Sequence, residues 1–302
     1  MRSITVMLST LMFIVLIIST YIYEKQDPIS LPQPIQPTNP LEQQPESLKP
    51  TTNETISYTL QKNELNITYN EGNDWMKVPI DTESLFQGEY RGNQTELIED
   101  SYVLTEDMAA FLYAEATSVL LKYSHDQGNT WQESIITDSF PPMRFKKVDF
   151  LNESFGYAIL SGDRTMSQEY STVFLTHDGG ETWEKTAELP STRLIAFGSF
   201  VDEQTGFLSY GTINPEEPDV YMTQNGGDTW TQAQFDIPGN YDRIFVQAEE
   251  PIKEKDYLSV LVNQGPNGDY AGGKVKGKFI SEDNGVTWKF LLEVEPDEAE
   301  RE

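Results

Sequence analysis

The side chains of this chain that are best suited to binding a ligand are its arginines. Beyond residue 52 there are six: Arg91, Arg144, Arg164, Arg193, Arg243 and Arg301. Four of them follow a tryptophan by ten or thirteen residues: Arg144, Arg193, Arg243 and Arg301. A guanidinium group presents a planar fork of N–H donors that matches a carboxylate or a phosphate. The spacing therefore predicts a cationic position that recurs along the chain and is able to bind an anion.

Other reactive groups are scarce in this sequence. The chain has no cysteine, which excludes disulfides, thiolate metal sites and cysteine nucleophiles. Its two histidines, His125 and His177, are too few for a histidine-rich metal site, and we interpret both as exposed turn residues. The acidic pairs 216–217 and 249–250 are interpreted as solvated loop charges. We predict no catalytic residue, no metal and no cofactor.

The charge of the chain narrows the class of partner. The sequence has 49 Asp and Glu against 21 Lys and Arg, a formal net charge of −28. A surface of this sign repels phosphate backbones, so nucleic acid is excluded as a partner.

The tryptophans that precede the arginines belong to a repeated phrase of eight residues. Its copies are "TYNEGNDW", "SHDQGNTW", "THDGGETW", "TQNGGDTW" and "SEDNGVTW", which begin at Thr68, Ser124, Thr176, Thr223 and Ser281. Each copy ends in one of the five tryptophans of the protein: Trp75, Trp131, Trp183, Trp230 and Trp288. Such regular spacing indicates a repeat architecture.

The residue types of the phrase are those of a tight turn. One position accepts hydrogen bonds from turn N–H groups through a short polar side chain: Asn70, Asp126, Asp178, Asn225 and Asp283. Another supplies the positive φ of the bend through glycine: Gly72, Gly128, Gly180, Gly227 and Gly285. The tryptophan ring is expected to cover the gap to a neighbouring element. The phrase is therefore predicted to be a structural fastener, not an active site.

Each phrase lies between two short runs rich in β-branched and aromatic residues, which predicts a hairpin. Further runs such as "GYAILSGD" and "GFLSYGT" add two strands to each repeat. Four short antiparallel strands in every ~50 residues are typical of a propeller blade.

This phrase closely resembles the Asp-box, or BNR, repeat of the sialidase-like β-propellers, which include sialidases, sortilin-type receptors, some glucanases and photosystem II assembly factors. The resemblance implies an all-β propeller with the boxes in turns away from the ligand site. A sialidase would also have three arginines that bind a carboxylate, a Tyr–Glu nucleophile pair, an Asp acid and an Arg-Ile-Pro signature. The sequence contains no Arg-Ile-Pro.

We predict five four-stranded blades, with six as the alternative because the first repeat is short. In this fold the chain enters the innermost strand of each blade from the face opposite the boxes, and the arginines are expected at that entry. The candidate ligand-binding residues are those of this face and its longest loops (161–172, 212–219 and 263–274): Arg91, Arg144, Arg164, Tyr170, Arg193 and Arg243. The alternative is that each arginine pairs with a local carboxylate, such as Asp149 or Asp242, and Arg301 is set aside because it lies at the chain end.

The N-terminus predicts a membrane anchor. Residues 4–23 contain no charge and are long enough to cross a bilayer. Arg2 precedes them and the acidic remainder follows, so the rest of the chain is expected outside the cell. We predict an anchor at 1–23, a proline-rich stalk at 24–52 and a propeller at 53–302. A cleaved signal peptide, which would give a secreted protein, is the alternative.

These features predict a membrane-anchored, extracytoplasmic binding or assembly module of a Gram-positive type of bacterium. It would hold a protein segment or an anionic or carbohydrate ligand on the face opposite the boxes, without catalysis. The alternative function is a cell-surface glycoside hydrolase of sialidase-like type.

Overall fold

The computed structural model describes residues 48–52, 54–211, 215–265 and 267–295. The predicted anchor, and the predicted stalk up to residue 47, lie outside the described residues. Within the described ranges no helix is long and apolar enough to cross a membrane. Regular structure in these ranges consists of strands and three short 3₁₀ segments: Thr82–Phe86, Gly239–Tyr241 and Tyr270–Gly272. The all-β prediction is confirmed.

The first sheet has three antiparallel strands in chain order: β1 (Ser57–Gln61), β2 (Glu64–Thr68) and β3 (Met76–Lys77). Where the other sheets have their first strand, residues 49–52 lie beside β1. The Thr51 N–H donates to the Tyr58 carbonyl at 2.8 Å, and Gln61 Nε2 donates to the Lys49 carbonyl at 3.4 Å. The expectation that this repeat is short is therefore correct.

The next three sheets are four-stranded antiparallel meanders in which spatial order follows chain order. Sheet 2 contains β4 (Tyr102–Leu104), β5 (Ala109–Glu115), β6 (Ser118–Ser124) and β7 (Gln132–Thr137). Sheet 3 contains β8 (Met143–Phe150), β9 (Gly156–Thr165), β10 (Gln168–Thr176) and β11 (Glu184–Lys185). Sheet 4 contains β12 (Leu194–Phe200), β13 (Gly206–Gly211), β14 (Asp219–Thr223) and β15 (Thr231–Gln232).

Sheet 5 has six strands instead of the expected four. Its strands are β16 (Gln234–Asp236), β17 (Gln247–Ala248), β18 (Ile252–Lys253), β19 (Leu258–Asn263), β20 (Lys276–Ser281) and β21 (Thr287–Val294). The added outer strand β16 belongs to the connection from sheet 4 and pairs with β21 in parallel. This pairing places the Phe235 ring against the Trp288 ring, stacked with centroids 5.9 Å apart.

Successive sheets pack face to face through four apolar clusters. Along β9 the alternation is clear, because Ala158 and Leu160 pack against sheet 2 whereas Tyr157 and Ile159 pack against sheet 4. Equivalent clusters join sheets 1 and 2 and sheets 4 and 5. Both faces of the inner sheets are thus buried, which explains the nearly continuous apolar runs of their middle strands.

The first strands of sheets 2 and 3 and strand β17 of sheet 5 converge. Lys147 on β8 forms an ion pair with Glu250, which follows β17, and lies 3.9 Å from Asp100, which precedes β4. A single side chain thereby connects sheets 2, 3 and 5. This convergence is what a radial arrangement of sheets requires.

Candidate functional site

Each repeated phrase forms the turn between the last two strands of a meander, and its polar side chains hold that turn. In the third copy, Thr182 donates to Asp178 from both its N–H (2.9 Å) and its hydroxyl (2.5 Å). The Gly180 N–H donates to Thr176 Oγ1 at 2.9 Å. The two backbone N–H bonds recur in the other four copies, around Asn70, Asp126, Asn225 and Asp283. The hydroxyl bond recurs at Asp126 and Asp283, whereas Asn70 and Asn225 instead donate from Nδ2 to the residue four positions later. The hydrogen-bonding capacity of these groups is used within the turn.

In the second to fifth copies, the glycine and the tryptophan of the phrase connect their sheet to the sheet before it. Gly180 has φ +97°, and a Cβ added there would lie 3.1 Å from the Leu121 side chain of sheet 2. Trp183 packs in the cluster between sheets 2 and 3, and its indole N–H donates to Ser134 of sheet 2 at 3.2 Å. Trp131, Trp230 and Trp288 lie in the three other inter-sheet clusters. In these four copies the box combines a hydrogen-bonded turn with a contact between neighbouring sheets.

Arg144 is committed to an internal ion pair. Its Nε and Nη2 donate to the two oxygens of Glu169 at 2.5 and 2.7 Å, and Nη2 also donates to the Ile195 carbonyl at 2.7 Å. The Glu169 side chain has no exposed surface. The pair therefore joins sheet 3 to sheet 4 at the start of their first strands.

Arg193 makes the corresponding pair in sheet 4. Its Nη1 donates to Asp219, at the start of β14, at 2.7 Å, but 55% of its side chain is exposed. In both sheets an arginine near the start of the first strand meets a carboxylate near the start of the third. The carboxylates differ from the two named by sequence reasoning. Asp149 instead accepts from the Tyr157 hydroxyl at 3.2 Å.

Arg243 is the most accessible of the three and borders a cavity. Its Nη2 lies 3.2 Å from Glu216 rather than from the predicted Asp242, and both side chains are largely exposed. The cavity has a volume of about 200 Å³ and is lined also by Pro215, Gln264 and Tyr270. It lies on the face opposite the boxes, because it is formed where the chain enters β17 and between β19 and β20.

Gln264 is the buried polar side chain of this cavity. Its Nε2 donates to the Tyr270 and Val275 carbonyls, both at 2.9 Å. Its Oε1 is buried without a hydrogen-bond partner in the part of the chain that the structure describes. Arg243 itself has φ +60°, a left-handed conformation that is uncommon for a non-glycine residue. Both features occur at ligand sites, but they do not single out this cavity, because seven other buried side-chain atoms of the described residues also have no partner and ten other non-glycine residues have a positive φ.

The remaining predicted site residues are dispersed. Arg164 is exposed in the β9–β10 hairpin, where its Nε donates to the Met166 carbonyl at 3.2 Å. The Tyr170 hydroxyl accepts from Lys185 at 3.0 Å. Arg91 is exposed in the connection between sheets 1 and 2, and Arg301 lies outside the described residues. Ligand binding by these residues stays a prediction.

A second cavity, of about 400 Å³, is lined by the first strands of sheets 2 and 3 and by the end of β17. Its lining includes Asp100, Asp149 and Glu250 beside the nearly buried Lys147. Burial raises the pKa of Glu250 above the usual range, although the neighbouring Lys147 ammonium opposes this effect. The interpretation of residues 249–250 as solvated loop charges was wrong, since Glu249 is also paired, with Lys276 at 2.5 Å. No local sequence signal indicates either pair, because the lysines come from distant positions.

Comparison with known proteins supports the repeat and gives only distant structural similarity. Residues 174–185 match the family model described as BNR/Asp-box repeat. No curated protein sequence matches the chain. Among solved structures, the NanB sialidase from Streptococcus pneumoniae is similar at 13% identity and a TM-score of 0.36, covering 68% of this chain and 32% of that one. An endo-arabinase from Bacteroides thetaiotaomicron is similar at 12% identity and a TM-score of 0.38, covering 61% of this chain and 75% of that one.

The Trypanosoma rangeli sialidase is similar at 14% identity and a TM-score of 0.39, covering 63% of this chain and 37% of that one. The chain thus spans about a third of the length of these two sialidases.

Proposed function

We propose that this chain, which is a β-propeller built on BNR/Asp-box repeats, is a membrane-anchored, extracytoplasmic binding module without catalytic activity. The five sheets would be its five blades. It would hold a protein segment or an anionic ligand on the face opposite the boxes, at the cavity bordered by Arg243.

The observation that carries this proposal is the difference among the three arginines. Arg144 bonds a fully buried carboxylate and is unable to turn to a ligand without leaving that charge uncompensated. Arg243 pairs through one nitrogen with an exposed carboxylate, an interaction worth ~0–1 kcal/mol that an incoming anion can replace. Arg243 also borders a cavity that is lined by Gln264, whose Oε1 is buried without a hydrogen-bond partner in the described residues.

The proposal is tested by capture of partners from intact cells with the full chain as bait. Arg243→Ala is expected to lose the captured partner. Arg193→Ala, which removes an exposed arginine of the same face that does not line the cavity, is expected to retain it. Equal capture by both variants would contradict the placement of the site. If both variants still capture the partner at high salt, an anion-binding role is contradicted.

A second candidate function is glycoside hydrolysis at the acidic cavity between the first strands. The observation that favours it is the raised pKa of Glu250 beside Asp100 and Asp149. Hydrolysis of a glycoside uses one carboxylic acid with a raised pKa and a second, ionised carboxylate. The ion pair between Glu250 and Lys147 argues against it, because the ammonium group favours the ionised carboxylate, which has no proton to donate.

A panel of aryl glycosides, with a sialyl substrate added, separates the two functions. The binding module predicts no turnover with the native chain. Turnover that Glu250→Gln abolishes and that Glu249→Gln leaves unchanged would establish the hydrolase instead.

A further inference from the structure

A third cavity, larger than the Arg243 cavity and the acidic cavity, lies on the face that carries the boxes. It has a volume of about 570 Å³, within the range of small-molecule sites. It is formed between sheets 2 and 3 by the β4–β5 and β8–β9 connections and by the second box. The function proposed above makes no use of it.

Two successive sheets meet at an interface that is called a joint below. Comparison of two equivalent joints explains why this cavity is open. Met108 and Phe155 each directly precede the second strand of their sheet. Phe155 fills the joint between sheets 3 and 4, where its ring lies 5.9 Å from the Phe200 ring and 5.3 Å from His177. The narrower, flexible Met108 stands at the corresponding place between sheets 2 and 3 and lines the cavity.

The second residue of the box, which varies between repeats, forms part of one wall of the cavity. His125 lines it, and its ring packs edge-on against Tyr123 with centroids 5.5 Å apart. The ring also reaches the third box, since a Cβ added at Gly179 would lie 3.7 Å from His125 Nε2. The second box therefore also forms one edge of a cavity at this joint.

The lining combines apolar side chains with two negatively charged carboxylates. Val103, Met108 and Phe150 supply apolar surface, whereas Asp107 and Glu153 supply two exposed carboxylates. Within the described ranges neither carboxylate forms an ion pair, and no lysine or arginine lines the cavity. Apolar surface beside unpaired carboxylates suits a group that has an alkyl stem and a cationic head, and the Phe150 ring adds a cation–π surface.

We propose that this cavity binds an alkylammonium group, with the ammonium at Asp107 and Glu153 and the alkyl stem against Met108 and Phe150. The net charge of −28 raises the local concentration of such cations. The ammonium could belong to a free amine or to the side chain of a protein lysine, and the chemistry that recognises it is the same.

The test is a ligand-observed NMR titration of the full chain in lipid nanodiscs, with empty nanodiscs as the blank. Butylammonium is the probe, and 1-butanol and butyrate are its neutral and anionic counterparts. Butylammonium is expected to bind at least tenfold more tightly than 1-butanol, and butyrate is expected not to bind. Equal binding of all three probes would overturn the proposal.

Two sets of variants assign the binding to this cavity. Met108→Phe copies the filled joint and is expected to abolish binding without lowering Tm. Asp107→Asn with Glu153→Gln keeps the cavity and is expected to weaken butylammonium at least tenfold, whereas Glu115→Gln, an exposed acid of sheet 2 on the other face, changes nothing. Native affinity in the double variant would overturn the proposal even if Met108→Phe failed to fold.

Nα-acetyl-lysine methylamide in the same titration distinguishes the source of the ammonium. Binding comparable to that of butylammonium supports a protein lysine as the natural occupant. Binding of butylammonium alone supports a free amine.

Discussion

At the scale of single residues, equal spacing in the sequence conceals different roles. Arg144 and Arg243 both follow a box tryptophan by thirteen residues. Arg144 meets a carboxylate with no exposed surface, whereas Arg243 meets one that is 71% exposed. The surroundings of the partner therefore decide whether an arginine stabilises the fold or stays available to a ligand.

This difference predicts opposite effects on stability. Arg144→Ala leaves the buried Glu169 charge uncompensated and is expected to lower the free energy of unfolding by ~3–5 kcal/mol. Arg243→Ala removes an exposed pair and is expected to change it by less than about 0.5 kcal/mol. Urea unfolding measures both, and similar values for the two variants would contradict the assignment.

Lys146 is a second residue whose surroundings matter. Its Nζ donates to the Leu85 and Leu112 carbonyls at 2.6 and 3.1 Å, and burial lowers its pKa to about 7. Between that value and the ordinary lysine pKa of ~10.4, the unfolded chain binds one proton more than the folded chain. This residue therefore makes the free energy of unfolding rise with pH, by ~1.4 kcal/mol per pH unit within that window.

Lys146→Met is expected to remove this rise. Urea unfolding at pH 7.5 and pH 9.5 measures it, and Lys289→Met, at an exposed lysine, is the matched control. A variant that keeps the slope of the native chain would show that Lys146 is charged in the folded protein.

At the scale of the element, the Asp box combines a turn with an inter-sheet contact. The hydrogen bonds from Thr182 lower the pKa of Asp178 despite the opposing effect of burial. The ionised carboxylate therefore contributes stability above its unfolded pKa of ~3.9, and that contribution is lost as the pH falls through the folded pKa.

The repeats supply their own control for this element. Asp178→Ala removes the acceptor of both Thr182 bonds and is expected to cost ~1–3 kcal/mol at pH 7. Asp178→Asn is expected to cost less than half as much, because Asn225 supports the fourth box by accepting from the Thr229 N–H and donating to its hydroxyl. Unfolding at pH 7 measures both costs. An equal loss in the two variants would contradict this account of the turn.

At the scale of the whole molecule, the sheets are joined in series by apolar clusters and converge at the Lys147 pair. Recognition is proposed at two separate places on this body. The Arg243 cavity lies on the face opposite the boxes, and the Met108 cavity lies beside them. One scaffold can carry both because loops at either end of a meander vary without disturbing the clusters between sheets.

The absence of cysteine gives a direct test of the predicted membrane topology. Ser167→Cys, at the exposed tip of the β9–β10 hairpin, is expected to react with a membrane-impermeant maleimide in intact cells. Ser3→Cys, before the apolar segment, is expected to react only after lysis. Labelling of Ser3→Cys in intact cells, or protection of Ser167→Cys, would contradict the proposed orientation.

The sequence by itself determined what depends on neighbours along the chain. The turn chemistry around Asp178 and Gly180 and the hairpins on either side are local properties, and the structure agrees with them. Only the tertiary structure decided the pairing of Arg144 with Glu169, the pairing of Lys147 with Glu250, the parallel strand β16 and the cavity left by Met108. These depend on which sheets lie side by side and on how much volume each joint must fill, and no local pattern carries that information.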